Sequence, residues 1–277
     1  MKWRYQYTVL ALAVMANFTQ QGTRLLISPL VPDIIEAFGT SKSAVGLALT
    51  GMWAAYAIFQ YPSGVFGDEY GERRVVILAI ALTGLGSLLL ALAPTFWLFG
   101  IFAVLLGAGT GLYFTAATSL LTKLFDDTGQ ALGFHTAGIS LSGLVAPVAA
   151  GFVGVRYGWE AGVLLGAVAA FPMVVVMRRY IRPVTVSRSE RSLWSQLDVR
   201  SFTDDLARPS VVFMTVLAAM AVFVNQSFMS FFPTFLVEFH GLRTTSASLA
   251  FGGVFLLSTV AQPLMGRLSD GTSRTAV

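Results

Sequence analysis

One arginine of this chain is placed where its charge could do chemistry in apolar surroundings. Arg24 lies in the first apolar stretch, roughly 20 residues beyond Arg4 and roughly 15 before Gly39, about 30 Å and 20 Å along a helix. A charge at that depth costs at least about 2.5 kcal/mol, so it should face a wet cavity and meet an anion. A guanidinium binds a carboxylate or phosphate through two parallel hydrogen bonds. Alternatively, Arg24 could extend to the membrane surface or pair with Asp33 or Glu36.

Other polar and aromatic side chains in the apolar stretches could line a cavity with Arg24. These candidates are Gln20, Gln21, Tyr56, Tyr113, His135, Asn225 and Gln226. A histidine can hydrogen-bond an anion or move a proton near neutral pH. His135, however, lies near one end of its stretch, which favours a histidine at the membrane boundary. Hydrogen bonds between helices explain the amides equally well, and the two tyrosines are candidate wall residues.

The composition indicates that these residues belong to a membrane protein. Of 277 residues, 55% are apolar and 12% are charged, and the mean hydropathy is +0.72. A soluble domain carries about 25% charged residues, so this chain must face lipid. The absence of cysteine excludes disulfides, thiolate metal sites and cysteine nucleophiles. We expect no cofactor, metal or enzymatic activity, because metal-ligand spacings, a Ser–His–Asp set and a phosphate-binding loop are not found.

Eight stretches reach the roughly 20 apolar residues that a helix needs to cross the hydrocarbon layer. They are Tyr5–Val31, Ala44–Phe66, Val75–Ala93, Phe96–Leu121, Ala131–Val155, Ala161–Met177, Val211–Leu236 and Ser246–Gly266. Their length favours helices, since a barrel strand needs only about 10 alternating residues. The sequence therefore predicts an all-α integral membrane protein in contact with the lipid bilayer.

The basic residues predict how these helices are oriented. With a cytoplasmic N-terminus, fourteen of the 18 lysines and arginines fall on inner segments, and only Lys42, Arg156 and Arg243 fall outside. Cytoplasmic loops carry such an excess. We therefore expect a multi-pass protein of the cell membrane with its N-terminus in the cytoplasm. Because the positive charges are spread over separate loops, no nucleic-acid partner is expected.

A gapless shift by 202 residues aligns the start of the chain with its end. It pairs Ser28 with Ser230, and the pattern Gln-x-x-x-Gly-x-x-x-Asp at Gln60 recurs at Gln262. Parallel repeats of this kind build transporters from two helical bundles. We expect a six-helix bundle in residues 1–180, a cytoplasmic linker in 181–209 and the first two helices of an incomplete second bundle in 210–277. The linker could form an amphipathic helix with an apolar face that includes Trp194 and Leu197, or be a disordered connection.

The turn after the second stretch resembles a loop of the major facilitator superfamily, G-x-x-x-D-R/K-x-G-R/K-R/K. Here it comprises Gly64, Asp68, Gly71, Arg73 and Arg74, and its second copy keeps Gly266 and Asp270. Glu69 and Glu72 stand where the family usually has basic residues. The resemblance implies the helical bundles of that family and a charged conformational latch at this loop.

Further motifs resemble the same family. Gly107, Gly109 and Gly111 in the fourth stretch look like its glycine run. Arg24 followed by Pro32 resembles the first span of the organophosphate/phosphate antiporters and anion symporters. Those antiporters have a second arginine in the seventh span, where the repeat places Gln226. A single arginine favours a monoanion such as a carboxylate.

The resemblance implies a secondary transporter that moves a small organic or inorganic anion by alternating access, with Arg24 recognising the charge. A coupling ion, proton or sodium, or a counter-anion would be a further partner, although no carboxylate deep in a span marks a proton carrier. Two alternatives remain open. One is an efflux carrier for drugs or hydrophobic compounds, and the other is a membrane receptor that uses the same fold without transporting.

Overall fold

The computed structural model describes residues 2–125, 128–182 and 209–256, which fold into helices joined by short turns. The helices are α1 (Lys2–Leu25), a 3-10 helix (Ser28–Leu30), α2 (Val31–Phe38), α3 (Lys42–Tyr70), α4 (Glu72–Ala91), α5 (Phe96–Thr122), α6 (Thr128–Tyr157), α7 (Trp159–Tyr180), α8 (Pro209–His240) and α9 (Thr244–Leu256). These residues include no strand, which confirms the prediction of an all-α fold.

Six helices of the described ranges, α3 to α8, are long and apolar enough to cross a membrane. Although long enough, α1 is less apolar because Asn17, Gln20, Gln21 and Arg24 interrupt its apolar sequence. The eighth predicted stretch is described only as far as Leu256. The rest of this stretch lies outside the described residues. So do most of the predicted linker with its amphipathic helix and the second loop copy at Gly266 and Asp270.

The first predicted span is wrong in one respect, because it is not a continuous helix. The ladder of α1 ends at Leu25, and helical structure resumes as a 3-10 helix and then as α2. Pro29 and Pro32 have no backbone N–H, so an unbroken ladder cannot pass through this segment. Each proline sits in the first turn of its own short helix, where a missing donor is tolerated. The break follows directly after Arg24.

The buried side chains change from apolar to polar and back to apolar along α1 and the segment that follows it. One apolar cluster includes Val9 to Ala16 of α1 with residues of α4, α5 and α7, and lies towards the α3–α4 turn, the Gly71 end of the bundle. A second includes Leu26 to Ile34 with residues of α3, α5 and α7, and lies towards the α2–α3 turn, the Gly39 end. Between them, the buried positions of α1 are mostly polar: Asn17, Thr19, Gln20, Thr23 and Arg24. This polar segment therefore lies in the middle of the bundle.

Helices α3 and α5 approach each other closely at two glycines. A Cβ added at Gly107 would overlap the backbone of Met52, 2.8 Å from its carbonyl carbon, and one at Gly111 would lie 3.0 Å from Cα of Tyr56. Carbon atoms in ordinary contact are about 3.5–4.0 Å apart. The glycines therefore let α3 rest on α5 at the turn that carries Trp53 and Tyr56.

Helix α8 joins the first bundle at the Gly39 end. Oγ of Ser28 donates to the carbonyls of Met229 and Ser230, at 2.7 Å and 2.8 Å, and Lys42 forms an ion pair with Glu238. Ser28 and Ser230 are equivalent under the 202-residue shift, so equivalent positions of the two copies meet at this point. The other part of α8, residues 209–225, is exposed. The contacts of α8 are thus concentrated at one end.

Candidate functional site

The guanidinium of Arg24 lies between two aromatic side chains of α3. Its Cζ is 3.8 Å from the ring centre of Tyr56 and 4.5 Å from that of Trp53. The two rings are perpendicular, at 90°, with centres 5.8 Å apart. A cation over an aromatic face gains roughly 0.5–2 kcal/mol, and more where water is excluded. The rings therefore offset part of the cost of burying this charge.

Most N–H groups of the Arg24 guanidinium have no hydrogen-bond partner among the described residues. Nη2 donates to Oε1 of Gln21, whereas Nε and Nη1 have no partner among the described residues. The side chain is only 6% exposed, and none of the ion pairs found in the described ranges involves it. Extension of Arg24 to the surface, or pairing with Asp33 or Glu36, is therefore not what the structure shows. Within the described ranges, the site holds a buried positive charge that no carboxylate pairs with.

Gln20 lies four residues before Arg24, on the same face of α1. Its side chain is buried, and neither Nε2 nor Oε1 has a hydrogen-bond partner among the described residues. A buried amide without partners costs about 1–3 kcal/mol, which a polar ligand group could recover. Gln20 and Arg24 together can bind an anion that also carries a hydroxyl or carbonyl group.

Gln226 of α8 lines a cleft that also includes Trp53. Helices α3 and α8 enclose a cleft of about 310 Å³, whose lining includes Trp53 and Gln226. Asn225, the adjacent residue, is exposed and does not line that cleft. Of the two predicted amides of α8, only Gln226 shares this cleft with Trp53, and the lining does not include Arg24, Gln20 or Tyr56.

Tyr113 and His135 lie elsewhere, in a buried junction of α1, α5 and α6. Oη of Tyr113 donates to the carbonyl of Ala13 at 2.7 Å and lies 3.2 Å from Nε2 of His135. Nδ2 of Asn17 donates to the carbonyl of His135 at 2.8 Å. His135 is 0% exposed and Tyr113 is 1% exposed. Both side chains are packed between helices, and the membrane depth of His135 and the role of Tyr113 stay predictions.

The predicted latch residues gather at the Gly71 end. Gly71 has a φ of 86°, a conformation that favours glycine, and separates α3 from α4. Arg73 donates through Nε to the carbonyl of Ile181 at 2.6 Å and through Nη2 to that of Arg178 at 2.8 Å. It thereby satisfies carbonyls at the end of α7. Gly64 lies next to Thr115 of α5.

Glu72, which departs from the family pattern, is buried and has its own partners. Its Oε1 accepts from Nζ of Lys123 and from Oγ of Ser119, the latter at 3.1 Å. Lys123 is also 3.8 Å from Asp68. Arg74, in contrast, points to the exposed side. A lysine directly after α5 thus pairs with Glu72 and lies near Asp68.

Trp53 and Lys123 were not predicted as functional residues. Trp53 precedes Tyr56 by three residues, a spacing that puts both rings on one face of a helix and could have identified it. No local pattern of this sequence marks Lys123 as the partner of Glu72, because the pair depends on how α4 packs against α5.

The comparisons with known proteins agree with this architecture. The family model of the Major Facilitator Superfamily matches residues 10–276. The chain belongs to this superfamily. It is 22% identical to the hexuronate transporter of Bacillus subtilis, over 94% of this chain and 63% of that protein. It is 25% identical to protein spinster homolog 1 of Xenopus laevis, over 95% of this chain and 54% of that protein.

A solved structure shares the fold of this superfamily member. A bacterial homologue of the human lysosomal transporter Spinster, crystallised in an inward-facing and unoccupied conformation, matches with a TM-score of 0.79 at 19% identity. The match covers 98% of this chain and 64% of that one. The chain is therefore a multi-pass membrane protein with the fold of these transporters, and it spans about 54–64% of the length of these three proteins.

Proposed function

We propose that the chain acts in a secondary transporter that moves a small organic anion by alternating access, and that Arg24 binds the anion. The observation that carries this proposal is the buried guanidinium, which has free N–H groups and no carboxylate partner in the described residues. A permanent charge of this kind inside a bundle calls for a mobile counter-charge. The similarity to a hexuronate transporter supports an organic acid as the cargo.

The preferred cargo is a monoanionic carboxylate with hydroxyl groups. One guanidinium supplies one positive charge, and the equivalent position in the second repeat holds the neutral Gln226. The unpartnered amide of Gln20, one turn away, suits a hydroxyl of the same molecule. Hexuronates such as glucuronate carry both groups.

The proposal includes an orientation and a working cycle. The distribution of basic residues supports a cytoplasmic N-terminus in the cell membrane, which makes the Gly71 end cytoplasmic. Contacts between α8 and the first bundle at the Gly39 end then close the outer side, while residues 209–225 of α8 stand apart at the inner side. Residues 1–180 form the first rocking unit, residues 210–277 begin the second, and the Gly64–Arg74 loop latches the inner end.

The experiment measures binding of sodium glucuronate to the purified protein by tryptophan fluorescence, since Trp53 contacts Arg24. Glucose, which lacks the carboxylate, should leave the signal unchanged. Replacing Arg24 by glutamine should weaken glucuronate binding at least 100-fold, because a charge-assisted hydrogen-bonded pair is lost. The matched control is Arg156→Gln, at an exposed arginine of α6, which should bind as the wild type does.

Two results would contradict the proposal. Equal affinity of the wild type for glucuronate and glucose would exclude recognition of the charge. Wild-type affinity in Arg24→Gln would exclude Arg24 as the group that recognises it. Uptake of labelled glucuronate into liposomes then separates a carrier from a receptor, which would bind without net flux.

A further inference from the structure

The indole N–H of Trp53 is a buried hydrogen-bond donor without a partner in the described ranges. Although the residue as a whole is only half-buried, Nε1 is shielded from solvent, and no group of the described residues accepts its hydrogen. An indole N–H can only donate, and a buried donor without an acceptor is costly. Such a donor beside a binding site indicates that the acceptor belongs to the ligand.

Trp53 holds this donor beside the charge of Arg24. The ring centre lies 4.5 Å from Cζ of Arg24, whose Nε and Nη1 also lack partners among the described residues. The amide of Gln20, one turn before Arg24, is in the same state. Arg24 and Trp53 thus bring unpartnered N–H groups of two helices, α1 and α3, to the proposed anion site.

Trp159 shows that the lack of a partner does not by itself mark a ligand site. Its Nε1 is also buried without a partner in the part of the chain that the structure describes. Its ring, however, packs against Phe38 and Phe99, with ring centres 5.4 Å and 6.0 Å away. The N–H of Trp159 therefore lies among apolar rings, whereas that of Trp53 adjoins a buried cation that would hold an anionic ligand within reach.

The donors of Trp53 and Arg24 require two acceptor oxygens. An indole N–H points along the plane of its ring, whereas the guanidinium lies over the ring face, so one oxygen cannot lie in line with both. A hydrogen bond spans about 2.9 Å between heavy atoms. Because that is more than half of the 4.5 Å between Cζ and the ring centre, the two acceptors must lie close together in one molecule.

We propose that the indole N–H of Trp53 determines specificity by donating to an oxygen on the carbon atom next to the carboxylate of the cargo. This role rests on the proposed function, in which Arg24 binds the carboxylate. Oxygens on adjacent carbon atoms have the close spacing that the two donors require. The cargo is then a 2-hydroxy, 2-keto or 2-alkoxy acid. Glucuronate belongs to this class, because its ring oxygen is bonded to the carbon next to the carboxylate.

The test compares three small acids that differ in one hydroxyl group. Lactate has it on the carbon next to the carboxylate, 3-hydroxypropionate has it one carbon further away, and propionate lacks it. Each sodium salt is used to displace radiolabelled glucuronate from the purified protein at pH 7, where all the acids are ionised. Leaving a buried donor unpaired weakens binding about tenfold, so lactate should bind about tenfold more tightly than the other two.

Two matched variants separate the N–H from the aromatic face. Trp53→Phe keeps a ring for Arg24 and removes the N–H, so the preference for lactate over propionate should fall to about twofold or less, while the Kd of propionate should change by less than about threefold. Trp159→Phe removes an equally buried N–H elsewhere and should keep the preference of the wild type. A ratio of two affinities in one variant is not altered by a partial loss of folded protein, so it reports specificity rather than stability.

The results distinguish the role of Trp53 from the proposed function. Absence of glucuronate binding in the wild type would contradict the anion carrier itself. Glucuronate binding with equal displacement by lactate and propionate, or by lactate and 3-hydroxypropionate, would overturn the selection by Trp53 alone. A preference for lactate that persists in Trp53→Phe, or that Trp159→Phe abolishes, would overturn it as well.

Discussion

Adding a single methyl group to α5 should disturb the proposed anion site through helix α3. Cβ of Gly107→Ala would lie 2.8 Å from the carbonyl carbon and 3.0 Å from Cα of Met52, whereas carbon atoms need about 3.5–4.0 Å. Helix α3 must therefore move away by about 1 Å beside Trp53, the residue after Met52. Overpacking of this kind costs about 1–3 kcal/mol, and the better helix propensity of alanine returns about 0.5–1 kcal/mol. We expect a net loss of stability of up to about 2.5 kcal/mol.

The same displacement should weaken binding. If Trp53 and Tyr56 move by about 1 Å, the contacts worth about 0.5–2 kcal/mol to Arg24 are partly lost, which lowers glucuronate affinity by about tenfold. Thermal unfolding of the detergent-solubilised protein measures stability, and tryptophan fluorescence measures binding. The control is Gly133→Ala in α6, an exposed position where an added Cβ meets nothing within 4 Å. The reasoning is refuted if Gly107→Ala matches this control in both measurements.

Two further substitutions test single contacts of the described residues. Trp53→Leu should weaken glucuronate binding about tenfold, and Trp53→Phe by less, since loss of an aromatic face costs about 0.5–2 kcal/mol; isothermal titration calorimetry checks this without the tryptophan signal. Lys123→Met should lower stability by about 1–3 kcal/mol in thermal unfolding, because it leaves the buried Glu72 unpaired. Adding Glu72→Gln to Lys123→Met should restore most of that loss, and a double variant as unstable as the single one would exclude this explanation.

The helices were predictable because the bilayer imposes a length on them. Stretches of about 20 apolar residues leave few alternatives to a spanning helix, so the all-α fold follows from composition. The break after Arg24 was missed because hydropathy is insensitive to hydrogen bonding. Pro29 is apolar and lies inside the first stretch, and Pro32 follows that stretch directly, yet neither can donate a backbone hydrogen bond within a helix. In α8, by contrast, the lone Pro233 is accommodated within a continuous helix.

A site residue was predictable only where its side chain is energetically costly in the surrounding apolar sequence. Arg24 stood out because a charge is costly in an apolar helix. Trp53 did not stand out, since most aromatic residues of such proteins pack or face lipid, and its contact with Arg24 depends on α3 resting on α5. The burial of His135 could not be predicted from its place along the sequence. Burial depends on the neighbouring helices, and α1 and α5 pack against this side chain.

The environment of Arg24 explains how a buried charge can remain available to a mobile ligand. A resident carboxylate would stabilise the guanidinium more strongly, but the substrate would then have to displace it. The faces of Trp53 and Tyr56 offset part of the desolvation cost, and Nε and Nη1 have no hydrogen-bond partner among the described residues, which would leave them available to the proposed anion. A carrier must bind its cargo tightly enough to select it and weakly enough to release it, as ion pathways also require. Partial stabilisation by neutral rings meets both conditions, because the charge is tolerated when the site is empty and still gains energy when an anion arrives.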